Sequence, residues 1–377
     1  MAAPPLKVAL LSDRFEVRGS CAYTLRLVKH LEAFGILPQI ICPNADAIAA
    51  PLRETLPIRL YPHMRMPLWG RVVMGTIRQD LEREKPQLIH VQSRWMQSRG
   101  AWLARTLGIP YILTIHDYLS PRERLKLDPV YGRRVLAVSQ SVKSELLELV
   151  HLPAELVTVI HAGVEVPSDE ELSPILSPDR LPVVGTAGPL ESVKGLPFFL
   201  GAAQRVLSTN PRVQFLIAGA GPEEQNLRRL VRELGIVEAV TFVPNLYDFS
   251  AALEAMDIFC LPSLRQGLGT IMLDAMGRGI PVIAAGVGGV FSVVSDNETG
   301  LVVPPSNSAR LAERIVELLD DPLRARTLGT AGRELVKEEF SVQRMVQETA
   351  EMYREIVEEA KTVLPGQPKP TAKTPSA

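Results

Sequence analysis

The sequence predicts an α/β protein built as two Rossmann-like domains with a cleft between them, and three observations carry that prediction. Short β-branched runs, apolar on both faces, alternate with amphipathic stretches along nearly the whole chain. That pattern belongs to parallel sheets covered by helices on both sides. The alternation breaks once, in a polar, proline-rich stretch between Gly163 and Arg180, and then resumes. Finally, 377 residues at 46% hydrophobic and 22% charged suit a soluble chain of more than one domain.

Taken in order, the first part offers strands at 7–12, 37–42, 58–61, 88–92, 111–115, 135–139 and 157–160, with helical patterns between several of them, such as 22–34 and 142–150. We assign residues 1–165 to an N-terminal, acceptor-side domain and 166–181 to a linker. The second domain, 182–341, repeats the plan. Its strands fall at 183–186, 215–218, 240–243, 258–261, 282–285 and 301–303, and its helices at 196–207, 223–234, 249–255, 270–276, 309–319 and 322–336. A last helix occupies 342–362. The tail, 363–377, is rich in Pro, Lys and Thr and reads as disordered.

Composition narrows the function. A formal net charge of −1 gives no whole-molecule steering toward nucleic acid. The charge is unevenly spread: the part before residue 165 carries about seven more basic than acidic groups. A solvated surface accounts for that, and so does a first domain facing an anionic acceptor or a membrane surface. The segment Arg65-Met66-Pro67-Leu68-Trp69-Gly70-Arg71 reads equally as a membrane-resting patch or a core helix with solvated arginines. No apolar run reaches the roughly 18–20 residues of a spanning helix, and the first residues lack the pattern of a signal peptide. A cytoplasmic protein is expected, with peripheral contact at the inner face of the membrane as an extension. Cys21, Cys42 and Cys260 lie far apart, without metal-ligand spacing, and Cys42 and Cys260 read as buried thiols.

Open parallel sheets bind ligands at the carboxyl ends of their strands. The most informative stretch there runs from Leu261 to Met276. A strand ends, Gln266-Gly267-Leu268-Gly269 lets the backbone approach a ligand, and a helix opens at Thr270. Free N–H groups and the helix dipole make such a place an anion site suited to a diphosphate. Asp274 follows one turn in, where a carboxylate reaches ribose hydroxyls. The loop after the first strand of the second domain, Gly188-Pro189-Leu190-Glu191-Ser192-Val193-Lys194-Gly195, places a lysine before a glycine-started helix. Such a cation can neutralise charge on a leaving diphosphate. A third strand–Gly–helix element contains Gly219.

Together these segments resemble the family-4 retaining glycosyltransferases, which have the GT-B fold. The likeness extends to Thr114-Ile115-His116-Asp117, Leu136-Ala137-Val138-Ser139, Val159-Ile160-His161-Ala162-Gly163-Val164-Glu165, the run from Gly279 to Ala285 with Gly288-Gly289, and Thr299-Gly300-Leu301-Val302-Val303-Pro304. It implies a metal-independent, hexosyltransferase-like enzyme of surface polysaccharide, lipopolysaccharide or glycolipid synthesis. No cofactor is implied beyond a nucleotide-sugar co-substrate, a UDP- or GDP-sugar. The second domain would hold the donor, with Gly19 in the early loop of the first domain also donor-binding, and a sugar or lipid-linked acceptor would lie on the first. By the same resemblance Lys194 contacts the donor phosphates, Asp274 the ribose and Gln266 the donor sugar. His116 points toward the sugar, and the final helix returns to the first domain.

The chain departs from the family pattern in three places. The family's paired glutamates, eight positions apart, are here Gln266 and Asp274, and the arginine that accompanies the lysine is replaced by Pro189. A non-catalytic nucleotide-sugar-binding or scaffold protein, and a sugar-phosphate synthase on the same fold, are the competing readings. A dinucleotide-dependent oxidoreductase is disfavoured, because the first strand leads into Asp13-Arg14-Phe15-Glu16-Val17-Arg18-Gly19 and not into Gly-x-Gly-x-x-Gly.

Overall fold

The computed structural model describes residues 4–13, 20–46, 48, 50–119, 125–244 and 249–363. Gly19 and nearly all of the tail lie outside the described residues. The described chain divides into two compact units. The first draws on 4–138, 142–160 and 345–363, and the second on 139–141 and 161–344.

The first unit runs β1 (Leu6–Leu11), α1 (Ser20–Leu31), β2 (Ile36–Cys42), α2 (Ala50–Thr55), β3 (Ile58–Leu60), α3 (Trp69–Glu84), β4 (Leu88–Val91), α4 (Gln97–Leu107), β5 (Tyr111–Ile115), β6 (Gly132–Ala137), α5 (Gln140–Leu149) and β7 (Val157–Val159). Its seven strands are parallel, in the order β3-β2-β1-β4-β5-β6-β7. The order reverses between β1 and β4, so the crossovers place helices on both faces. All four residues of β4 are buried, as are all five of β5, which is why these strands read as unbroken apolar runs.

The second unit runs β8 (Val183–Ala187), α6 (Leu196–Thr209), β9 (Gln214–Ala218), α7 (Glu224–Glu233), β10 (Val240–Val243), α8 (Ser250–Glu254), β11 (Ile258–Leu261), α9 (Thr270–Gly277), β12 (Val282–Ala285), β13 (Leu301–Val303), α10 (Ser308–Asp320) and α11 (Pro322–Glu339). Its six parallel strands are ordered β10-β9-β8-β11-β12-β13, with the reversal between β8 and β11. Phe199, Phe215, Ile217, Ile258, Ile283 and Ile315 are among the fully buried side chains of its core. The last two helices of the unit start at side-chain caps. Asn307 accepts from the Arg310 amide and Asp321 from the Arg324 amide, each at 2.9 Å. Helix α12 (Val342–Val363) belongs to the first unit from Met345 onward.

Residues 166–181, a linker by composition, are tied into the second unit. Asp257 is fully buried and accepts from the Leu176 amide at 2.5 Å, the Val183 amide at 2.8 Å and both Arg180 guanidinium nitrogens at 2.7 and 2.8 Å. Buried Arg333 donates to the Pro167 carbonyl at 2.6 Å and to Asp169 at 2.7 Å. Ile175 and Leu176 are buried as well. The stretch looked like a connector because backbone groups and partners far along the chain make its anchors. All three cysteines are buried and reduced.

Candidate active site

Within the second unit, the carboxyl ends of β8, β9 and β11 surround a small, partly open crevice at the point where the strand order reverses. Thr186, Gly188, Pro189, Lys194, Ala218 and Ser263 are among the residues that line it. The place follows from topology. At a reversal, the loops leaving adjacent strands go to opposite faces and leave a crevice.

Two backbone bonds, Gly188 N–H to Ala218 O at 2.9 Å and Leu190 N–H to Ala220 O at 3.0 Å, hold the β8 loop against the β9 loop. Gly219 is where they touch. A Cβ there would sit 1.9 Å from the Gly188 carbonyl oxygen, and its φ of +149° is one that side-chain-bearing residues avoid. Lys194 ends a short turn before α6, where the Leu264 amide donates to the Val193 carbonyl at 2.8 Å and joins this loop to the one after β11. The half-buried Lys194 ammonium donates to Gln266 Oε1 at 3.1 Å. Buried Ser263 donates to the same oxygen at 3.0 Å.

The turn Gln266-Gly267-Leu268-Gly269 is held from its far side. The Gly289 amide donates to the Gln266 carbonyl at 3.1 Å, and a Cβ on Gly289 would lie 2.0 Å from the Gly267 oxygen. Gly267, Leu268 and Gly269 are buried, and Thr270 opens α9 half-buried. Asp274, also half-buried, sits on α9, where its carbonyl accepts from Arg278 Nη1 at 3.0 Å. Arg265 is exposed.

The structure therefore places Gly188 and Lys194 in the lining of one crevice, Gly219 against Gly188 and Gln266 on Lys194, while Gly267–Thr270 and Asp274 follow Gln266 along the chain and are not among the residues that line it. Ser263 and Gly289 are additions the residue pattern did not single out as site residues. A small polar residue two positions after a strand, and a Gly-Gly pair after another, were the only traces they left.

His116 lies in the first unit, just past β5. Its half-buried ring meets Tyr23 edge-on with centroids 5.0 Å apart. Burial pushes its pKa down to about 3, a hydrogen bond to the Gln92 backbone opposes that fall, and nearby Arg94 adds to it. The imidazole is thus neutral at ordinary pH. Its Nε2 is buried and has no hydrogen-bond partner among the described residues.

Residues 168–335 match the family described as glycosyl transferases group 1, and residues 17–166 match glycosyltransferase family 4. The alpha-D-kanosaminyltransferase of Streptomyces kanamyceticus is 28% identical over 67% of this chain and 72% of its own length. A Corynebacterium glutamicum GDP-mannose-dependent monoacylated phosphatidylinositol monomannoside mannosyltransferase is 37% identical over 43% of this chain and 44% of its own. Among solved structures, Anabaena HepE in complex with UDP-glucose superposes with a TM-score of 0.79 at 20% identity, covering 93% of this chain and all of HepE. That superposition shows a shared fold.

Proposed function

Because the chain belongs to the family-4, group 1 glycosyltransferases, we propose that its second unit binds a nucleoside-diphosphate sugar and that the enzyme transfers the sugar, with retained anomeric configuration, to a hydroxyl acceptor. The observation that carries this reading is the Lys194–Gln266 contact beside the glycine-built crevice. A cation held at a fixed point, next to close-packed backbone and the start of α9, suits a diphosphate.

In the proposed reaction the bond from the anomeric carbon to the diphosphate oxygen breaks, and the acceptor oxygen bonds the same carbon on the same face. The acceptor proton passes to the departing phosphate oxygen. Lys194 and the helix start take up the negative charge that develops there, so the step needs no metal. Asp274 holds the ribose. Neutral His116 acts as a hydrogen-bonding group toward the sugar and not as a cation. The mannosyltransferase relative, named for a phosphatidylinositol-linked substrate, supports a lipid-linked acceptor. So does the basic excess of the N-terminal part.

Calorimetric titration with UDP, GDP, ADP and CMP, with and without magnesium, tests the donor site. We expect one nucleotide to bind without metal. Lys194→Ala should lower turnover of its sugar about 100- to 1,000-fold with the melting temperature unchanged. Near wild-type turnover would remove Lys194 from the mechanism. Failure of every nucleotide to bind would favour a scaffold protein.

A further inference from the structure

The chain has three tryptophans, and all three are exposed on one pair of neighbouring helices in the first unit. Trp69, at the start of α3, is 64% exposed, Trp95, in the turn before α4, is 72%, and Trp102 on α4 is 37%. Around the start of α3, Leu68 is 77% exposed, Val72 63% and Met66 45%. A single exposed apolar side chain is ordinary, but a set with every indole of the chain is a surface feature that needs a partner. The segment 65–71 is accordingly not a core helix: of its residues only Gly70 is buried.

We propose that this face docks the enzyme on an anionic lipid bilayer. The proposal rests on the lipid-linked acceptor reading above for its purpose. Its physical case is separate. Indoles prefer the interface between headgroups and acyl chains, where the ring is apolar and the N–H stays wet.

Charge selects the sign of the lipid. Residues 55–116, which carry the three tryptophans, hold Arg59, Arg65, Arg71, Arg78, Arg83, Lys85, Arg94, Arg99 and Arg105 against three acidic residues, Asp80, Glu82 and Glu84 in the last turns of α3. Five of these meet carboxylates: Arg59 with Glu84, Arg78 with Glu82 at 2.6 Å and Arg83 with Asp80 at 3.6 Å through acidic residues of α3 itself, and Arg65 with Asp13 at 3.0 Å and Arg105 with Asp128 at 3.5 Å through residues outside the two helices. Arg71 and Arg99 pair with no carboxylate among the described residues. A second copy of this chain is a poor occupant, because a self-complementary interface here would set arginines against arginines.

Topology puts the face where a lipid-linked acceptor is useful. Helices α3 and α4 both run back against the strand direction on their way to β4 and β5. Their first turns, with Trp69 and Trp95, therefore stand at the carboxyl end of the sheet, the end that carries His116. No helix among the described residues is long and apolar enough to cross a membrane. Contact by exposed side chains, lying on the surface, is the mode this geometry allows.

The test is co-sedimentation of the full chain with vesicles of phosphatidylcholine alone and of phosphatidylcholine with an equal part of phosphatidylglycerol. We expect binding to the anionic vesicles only, weakened by salt, with a blue shift of tryptophan emission. The double variant Trp69→Ser/Trp95→Ser alters exposed positions and should melt as the wild type does, yet bind about tenfold less or weaker. Arg71→Glu/Arg99→Glu should remove the salt-sensitive part. Failure of the wild type to bind, or equal binding by both variants, overturns the proposal. So does a wild-type dimer in solution that the tryptophan variant turns into monomer, since a second copy would then cover the face. Nucleotide titration of the same preparations separates the two readings: vesicle binding lost with nucleotide binding kept sinks only the docking face.

Discussion

Acidification should weaken the first unit through one buried histidine, His90. Its ring is fully buried on β4. Nε2 lies 2.5 Å from Thr114 Oγ1, while Nδ1 meets the Tyr353 hydroxyl of α12 and the Gln92 amide nitrogen at 3.1 Å. Burial pushes its pKa from 6.5 down to about 3, and repulsion from His116 adds to the fall. The folded state thus holds this ring neutral at pH values where the unfolded chain binds a proton. Stability is unaffected above about pH 6.5 and falls as pH drops toward 3. At 1.36 kcal/mol per pH unit, the loss is about 2 kcal/mol at pH 5 and about 5 kcal/mol near pH 3.

The assay is urea unfolding at pH 7 and pH 5, read by hydrogen exchange in peptides covering β4 and β5, for the wild type and His90→Gln. The variant starts less stable, because its contacts to Thr114 and Tyr353 change, so only the pH difference counts. His116 is present in both proteins, and burial is the first cause of its own fall, so most of its contribution is common to the two. We expect the wild type to lose about 2 kcal/mol more than the variant between the two pH values. Equal losses would show that His90 is not the group that titrates.

Two further outcomes concern the second unit. Asp257→Ala removes a buried carboxylate with four donors around it, and should cost about 3 kcal/mol, at the low end for a broken buried pair because Arg180 reaches solvent; a loss below about 1 kcal/mol in urea unfolding would show that the 166–181 anchor is dispensable. Gly219→Ala forces a Cβ into the Gly188 carbonyl and should weaken nucleotide binding together with stability. Gly235→Ala, at a φ of +70° with open space around it, should cost only about 1 kcal/mol of backbone strain and leave nucleotide titration unchanged.

The central strands were legible because a parallel strand buried on both faces reads as a short apolar run, and the run's length of four or five residues, its β-branched content and the helical patterns on either side set it apart from a buried helix. Each of the thirteen strands among the described residues has a counterpart among the runs read from the sequence. Side-chain exposure was not legible. Met66-Pro67-Leu68-Trp69 is apolar, and apolar residues in a helical region suggest a core, yet Leu68 and Trp69 face solvent. Periodicity says which residues share a helix face but not whether anything covers it. Nor could the 166–181 stretch be recognised as packed: Leu176 bonds to Asp257, 81 positions away, through a backbone N–H that every residue but proline has. Gly289 escaped for the same reason, since its task is to let one backbone touch another.

The departures from the family pattern bear on charge more than on shape. By resemblance, the crevice would hold a lysine and an arginine against a glutamate. Here Pro189 removes one cation and Gln266 removes one anion, so the sum beside the diphosphate position is unchanged. The structure shows how the second change works. Gln266 Oε1 takes a hydrogen bond from Lys194 and another from Ser263, so the amide holds the ammonium as a carboxylate would, without neutralising it. Lys194 keeps from this partner its full charge for a phosphate oxygen, which is the compensation needed once the arginine is gone. Loss of the arginine alone would weaken an anion site, and loss of the glutamate alone would leave it over-positive. Together the two substitutions leave the sum of charges at these positions as the family pattern has it, which is what the proposed donor site requires.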